Sequence, residues 1–104
     1  MKKATTPHQV KHFEQIPNVG KEMAKDFMAL GIRAPKELAT QDAYDLYLKL
    51  CRKTKSYKDP CVLDTFIAVV EFMSGKSNKK WWEFSEQRKK DFEKIAPLVN
   101  KWKN

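Results

Sequence analysis

Apolar side chains recur at intervals of three and four along most of this chain, the spacing of helices buried on one face. Thr6 and Pro7 read as the cap and first position of an opening helix, with Val10, Phe13 and Ile16 as its stripe. Pro17 stops that helix, because it turns Ile16 away from helical geometry. A second helix starts near Gly20 and buries Met23, Ala24, Phe27 and Leu30. Gly31 suits its C-terminal cap, and Ile32 can close a hydrophobic contact over the last turn.

Residues 34–39 read as a short helical connector. Thr40 is expected to cap a helix over 41–52 that turns Ala43, Leu46, Tyr47, Leu50 and Cys51 inward. A basic loop over residues 52–58 follows. Asp59 and Pro60 then form a cap and first position for a helix running to about Ser74. Apolar residues lie nearly all round it, which predicts the central buried helix. Its β-branched residues would also suit a strand, but its length and capping favour helix. Gly75 ends it. Ser85 is expected to cap a last helix over 86–96, Pro97 to break it, and Leu98, Val99 and Trp102 to form a final amphipathic turn.

These elements predict an all-α fold, a compact bundle of five or six helices arranged as two helical hairpins. The paired hairpins would span residues 6–75, and a basic, aromatic extension over 76–104 would pack on them.

Composition agrees with one globular domain: 104 residues, 41% hydrophobic and 33% charged. The formal charge is +8, and the sequence pI is about 9.5. Residues 76–104 carry 9 basic and 4 acidic side chains, against 12 and 9 in residues 1–75. Such a balance favours a polyanionic partner, although many lysines also serve simply to keep a protein soluble. No apolar stretch approaches the roughly 20 residues of a membrane span, and the basic N-terminus lacks the apolar run of a signal peptide. Cys51 and Cys61 are expected as free thiols in a reducing, cytoplasmic setting.

The bend Ile16-Pro17-Asn18-Val19-Gly20-Lys21 is the chemically suggestive stretch. A helix opening directly from a tight bend leaves its first amides without internal partners, at the positive end of the helix dipole. That combination suits an anion. Gly20 has no Cβ to obstruct a phosphate, and Asn18 tolerates a left-handed conformation. Lys21 and Lys25, one helical turn apart, can flank the bound group, while Ile16 and Val19 pin the two helices together.

Ile16 to Ala24 resembles the helix-hairpin-helix motif, with Asn18 where its first glycine usually stands. Asp59-Pro60-Cys61-Val62-Leu63-Asp64-x-Phe66 and Trp81-Trp82-Glu83-Phe84-Ser85 extend the likeness. Over residues 12–90 the chain resembles the small bacterial "pathogenicity locus" family of helix-hairpin-helix proteins. Its helical order is also similar to the C-terminal domain of competence regulators of the TfoX type. The resemblance implies a SAM-domain-like pair of hairpins that holds double-stranded DNA through the sugar-phosphate backbone, without reading sequence. Carried onto this chain, it implies phosphate contacts at Asn18, Val19, Gly20, Lys21 and Lys25. A second, degenerate hairpin would add Arg52, Lys53, Lys55 and Lys58. It implies no enzymatic activity and no cofactor.

Other features read more simply. His8, His12, Cys51 and Cys61 could make up a zinc set, but their spacing lacks the clustering such sites use. Cys61 is expected as a small buried residue, with a reactive thiol as the rival reading. Trp81 and Trp82 are expected to pack in the core or latch the tail to the bundle rather than stack on bases. No catalytic constellation is recognisable. The rival to DNA binding is a protein-interaction module presenting the Trp81–Phe84 patch.

Overall fold

The computed structural model describes residues 2–103, and among them there are helices, turns and no strand. Four α-helices form the frame: α1 (Lys21–Ala29), α2 (Ala43–Thr54), α3 (Pro60–Met73) and α4 (Ser85–Val99). Short 3₁₀ turns lie between and around them at Pro7–Gln9, Phe13–Gln15, Pro35–Thr40, Trp81–Phe84 and Asn100–Trp102.

The central helix is α3, as its nearly unbroken apolar surface predicts. It packs against α2, α4 and the turns at Pro35–Thr40 and Trp81–Phe84. Leu63 and Phe66 have no exposed surface. Phe66 meets Phe27 of α1 at 5.3 Å between ring centroids, and Phe27 meets Phe13 at 5.6 Å. Three rings thus tie the N-terminal turns, α1 and α3 into one core, at centroid separations within the roughly 4.5–7 Å of interacting aromatic pairs. All five inward positions expected of α2 are buried.

The first expected helix is replaced by two 3₁₀ turns. Gln9 Oε1 accepts from the Thr5 N–H at 2.7 Å, and Gln15 Oε1 accepts from the Lys11 and His12 N–H groups at 2.7 and 2.9 Å. The Lys11 and His12 amides are ones that a continuous helix from Pro7 would bond to the Pro7 and His8 carbonyls, whereas Thr5 lies ahead of that helix. Val10 and His12 are accordingly extended. Glu37 and Glu83 reach back in the same way to Ala34 and Lys80.

Several boundaries also move. Asp42, not Thr40, caps α2, accepting from the Tyr44 and Asp45 N–H groups. Two carboxylate-to-amide bonds outcompete a hydroxyl two residues earlier. The Ser85 hydroxyl donates instead to Asp64. Pro97 lies inside α4, which continues to Val99. A proline removes one bond there without ending the helix, and fully buried Val99 anchors the last turn.

Helix ends follow the expected chemistry. Gly31 and Gly75 have φ of 88° and 78°. Ile32 N–H bonds to the Phe27 carbonyl and Gly31 N–H to that of Met28, the Schellman pattern, with Ile32 buried beyond it. At the end of α2, Lys55 takes the same left-handed position at φ 50° without being glycine.

Candidate functional site

The bend before α1 is built on a hydrogen bond from the Val19 N–H to the Ile16 carbonyl, at 3.1 Å. Proline at the second position excludes a positive φ there, and Asn18 has φ 75°. This is the pattern of a type II turn, in which glycine or asparagine takes the third place. Asn18 therefore stands in the left-handed conformation expected of it. Ile16 and Val19 have no exposed surface and pin the bend to the core.

The carbonyl side of the bend is closed by Lys3. Its ammonium donates to the Glu14 and Ile16 carbonyls at 2.7 and 3.2 Å, and also to that of Val19. The Ala4 N–H adds a bond to the Gln15 carbonyl at 2.8 Å. The sequence reading missed Lys3, since no helical spacing relates residue 3 to residues 14–19.

The amide side remains open. Gly20 is exposed and serves as the N-cap of α1, with no capping side chain. No hydrogen bond among the described residues engages the N–H of Gly20, Lys21, Glu22 or Met23. The Val19 amide, expected to be available, is instead consumed inside the turn. Asp42 and Asp59 cap the first amides of α2 and α3. Gly20 has φ −105° and ψ −171°, which any residue can adopt, and a Cβ there would touch nothing within 4 Å. Neither backbone conformation nor packing within the chain requires glycine at this position.

Lys21 and Lys25 are exposed beside this helix start. Lys25 makes only a loose pair with Glu22, at 3.7 Å between two well-exposed side chains, which contributes little. Both lysines line a cleft of about 410 Å³ between the residue 11–14 segment, α1 and residues 33–35. Lys11, His12 and Arg33 add to its basic lining, with Glu14 as the single acid. Phe13 and Ala24 lie buried beneath it, and Pro35 and Met28 complete the apolar part, Met28 at 56% exposure. Lys11, His12 and Arg33 were not among the expected site residues.

The second basic segment is rearranged. Arg52 and Lys53 belong to the last turn of α2, where their charge complements the helix dipole. The loop begins only at Lys55. Arg52, Lys53 and Lys55 are exposed, whereas Lys58 is half-buried and its carbonyl accepts from Tyr47. The Lys58 charge acts on Asp26 of α1. Burial raises the Asp26 pKa, Lys58 pulls it down and Glu22 raises it, for a net upward shift.

Cys61, expected to be buried, is exposed, and Cys51 is the buried thiol. A hydrogen bond to Asp59, then desolvation and the same carboxylate's charge, push the Cys61 pKa up. That is the reverse of what an activated thiol needs. Phe84 is buried, Trp81 is half-buried, and Trp82 is exposed at 57%; core packing therefore describes Phe84 but not Trp82. Among the described residues no group of three His, Cys, Asp or Glu side chains could hold a metal ion. Among them also, no helix is long and apolar enough to cross a membrane.

A family model described as "Pathogenicity locus" matches residues 6–90 of this chain. A curated relative from Streptomyces lavendulae, the "Mitomycin resistance protein McrB", is 32% identical over 75 residues, covering 72% of this chain and 71% of its own length. No solved structure matches.

Proposed function

The chain belongs to the "Pathogenicity locus" family, and from that premise we propose that it binds double-stranded DNA without sequence preference. In this reading the bend at residues 16–20, which joins the Phe13–Gln15 turn to α1, takes the place of the hairpin in a helix-hairpin-helix motif whose first helix is reduced to 3₁₀ turns. Gly20 carries this reading. Its conformation suits any residue and its Cβ position is open, so the missing side chain serves a group approaching from outside. The unpaired amides of Gly20 and Lys21 suit a phosphate oxygen, and Lys21 and Lys25 supply counter-charge. Asn18 shapes the turn, and Val19 anchors it. Arg52, Lys53 and Lys55 offer further exposed charge from the end of α2, with Lys58 beside them.

The test is a fluorescence anisotropy titration with duplex DNA at two salt concentrations. Affinity should fall steeply with salt, and the Lys21→Glu/Lys25→Glu variant should lose most of it. Its log–log salt slope should shrink by about 2, roughly one per phosphate-contacting lysine. Unchanged duplex binding by that variant removes the bend from the mechanism. The name of the Streptomyces lavendulae relative adds a cellular readout, survival under mitomycin with the wild-type or the variant chain.

A second reading rests on Trp82, which stands 57% exposed with Trp81 edge-on at 5.6 Å. In that reading the pair presents an aromatic patch to a protein partner. Loss of a partner on Trp82→Ala, with DNA binding intact, would favour it.

A further inference from the structure

The cleft beside α1 combines two chemistries that no single simple ligand satisfies. Lys11, Lys21 and Arg33 have no side-chain partner among the described residues, and Lys25 has only its loose pair with Glu22. The same cleft is also lined by apolar side chains, among them exposed Met28. An inorganic anion would answer the charge and leave the apolar surface in water. An apolar molecule would do the reverse and desolvate unpaired cations. A flat, largely apolar body with an anionic edge satisfies both. The volume of about 410 Å³ lies within the roughly 300–1,000 Å³ of small-ligand sites.

We propose that this cleft takes one unstacked nucleotide of a DNA strand, its base over Met28 and Pro35 and its phosphates on Lys11, Lys21, Lys25 and Arg33. The proposal rests on the DNA reading above and adds the DNA structure preferred. A duplex keeps its bases stacked and paired, so it offers the cleft only phosphates. Strand ends, gaps and overhangs supply a base whose extraction costs little. Lys21 and Lys25 border both the cleft and the start of α1. The cleft thus continues the surface on which the duplex is expected, and the protein would sit where duplex passes into single strand.

The test uses the full chain and three probes labelled at the distal end: a blunt duplex, the same duplex with a short thymidine overhang, and one whose overhang is abasic. The abasic strand matches the phosphates and lacks the bases. The thymidine overhang should bind about two- to tenfold tighter than the abasic one, the range that a methionine thioether gains against an aromatic face. Met28→Ser, at an exposed position, should abolish that difference and leave blunt-duplex affinity unchanged. Lys11→Gln/Arg33→Gln should weaken both overhang probes more than the blunt one. Equal binding of the thymidine and abasic overhangs by the wild-type chain overturns the nucleotide site and leaves duplex binding standing. Absence of salt-dependent binding to any probe overturns both. Displacement of the thymidine overhang by an acidic peptide centred on phenylalanine, at equal concentration, assigns the cleft to a protein partner instead.

Discussion

Arg88 of α4 holds Asp64 of α3 through two contacts, Nε to Oδ1 at 2.7 Å and Nη2 to Oδ2 at 3.1 Å. Asp64 has no exposed surface, and the Arg88 side chain is 12% exposed. The Ser85 hydroxyl donates to Oδ2 at 2.7 Å as well. Two of the segments on which the family resemblance rests, residues 59–66 and 81–85, therefore meet through Asp64 and Ser85. Asp64 latches the C-terminal helix to the core and belongs to the fold rather than to the candidate site.

Removing Arg88 alone strands a buried carboxylate. Arg88→Met should cost about 3–5 kcal/mol in urea denaturation, whereas Asp64→Leu combined with Arg88→Met should cost less than the single change. A single variant losing under about 1 kcal/mol would show that water reaches Asp64 and compensates it.

Gly20 should separate stability from binding. Gly20→Asp supplies a carboxylate to the free amides of α1 and complements the helix dipole, so stability should rise by about 0.5 kcal/mol. The same carboxylate occupies the phosphate's place, and duplex affinity should collapse. Parallel denaturation and anisotropy measurements check the opposite signs; retained affinity would place DNA elsewhere.

Lys3 should prove structural despite its exposure. Lys3→Met keeps the stem and removes the donor to three carbonyls, which should open the bend by about 1–3 kcal/mol. Hydrogen exchange at the Val19 amide, protected by its bond to Ile16, reads this directly. No acceleration there would mean that the turn stands without its ammonium.

Acid and alkali should each lower the stability of the protein for assignable reasons. The Cys61 N–H on the Asp59 carboxylate, and the Tyr44 and Gln87 donors on Asp91, hold both acids below the ordinary value of 3.8. Folded values below unfolded ones stabilise above that range, and the contribution disappears as pH falls through the depressed values. Asp26, raised mainly by burial, has the opposite sign: its penalty is full above the raised value and is relieved as pH falls from there toward 3.8. Burial leads the upward shift of Tyr44, Tyr47 and Tyr57 from 10, so stability should decline again above about pH 10. The urea midpoint measured from pH 3 to 11 should show a plateau between these limits. Asp91→Asn should soften the acid limb.

The thiols should differ in kind. Iodoacetamide should modify one cysteine in the native protein, the exposed Cys61, and both in urea. Because Asp59 raises its pKa, Cys61 should react more slowly than free cysteine near neutral pH, and Asp59→Asn should accelerate it. Mass spectrometry over time distinguishes the two sites.

What periodicity can report, it reported. Apolar side chains three and four apart share a helix face whatever lies opposite, so the buried sides of α1, α2 and α3 followed from the sequence. So did the glycine ends at residues 31 and 75 and the left-handed Asn18, because these are local backbone properties. The first helix was misread because Gln9 and Gln15 compete for nearby amides, although a Gln or Glu three residues beyond each capping position was a visible signal. Only tertiary packing set Lys3 beneath the bend, Arg88 on Asp64, and Lys11 and Arg33 in one cleft with Lys21 and Lys25. Those groups lie on separate elements, and no spacing along a single helix determines whether separate elements meet.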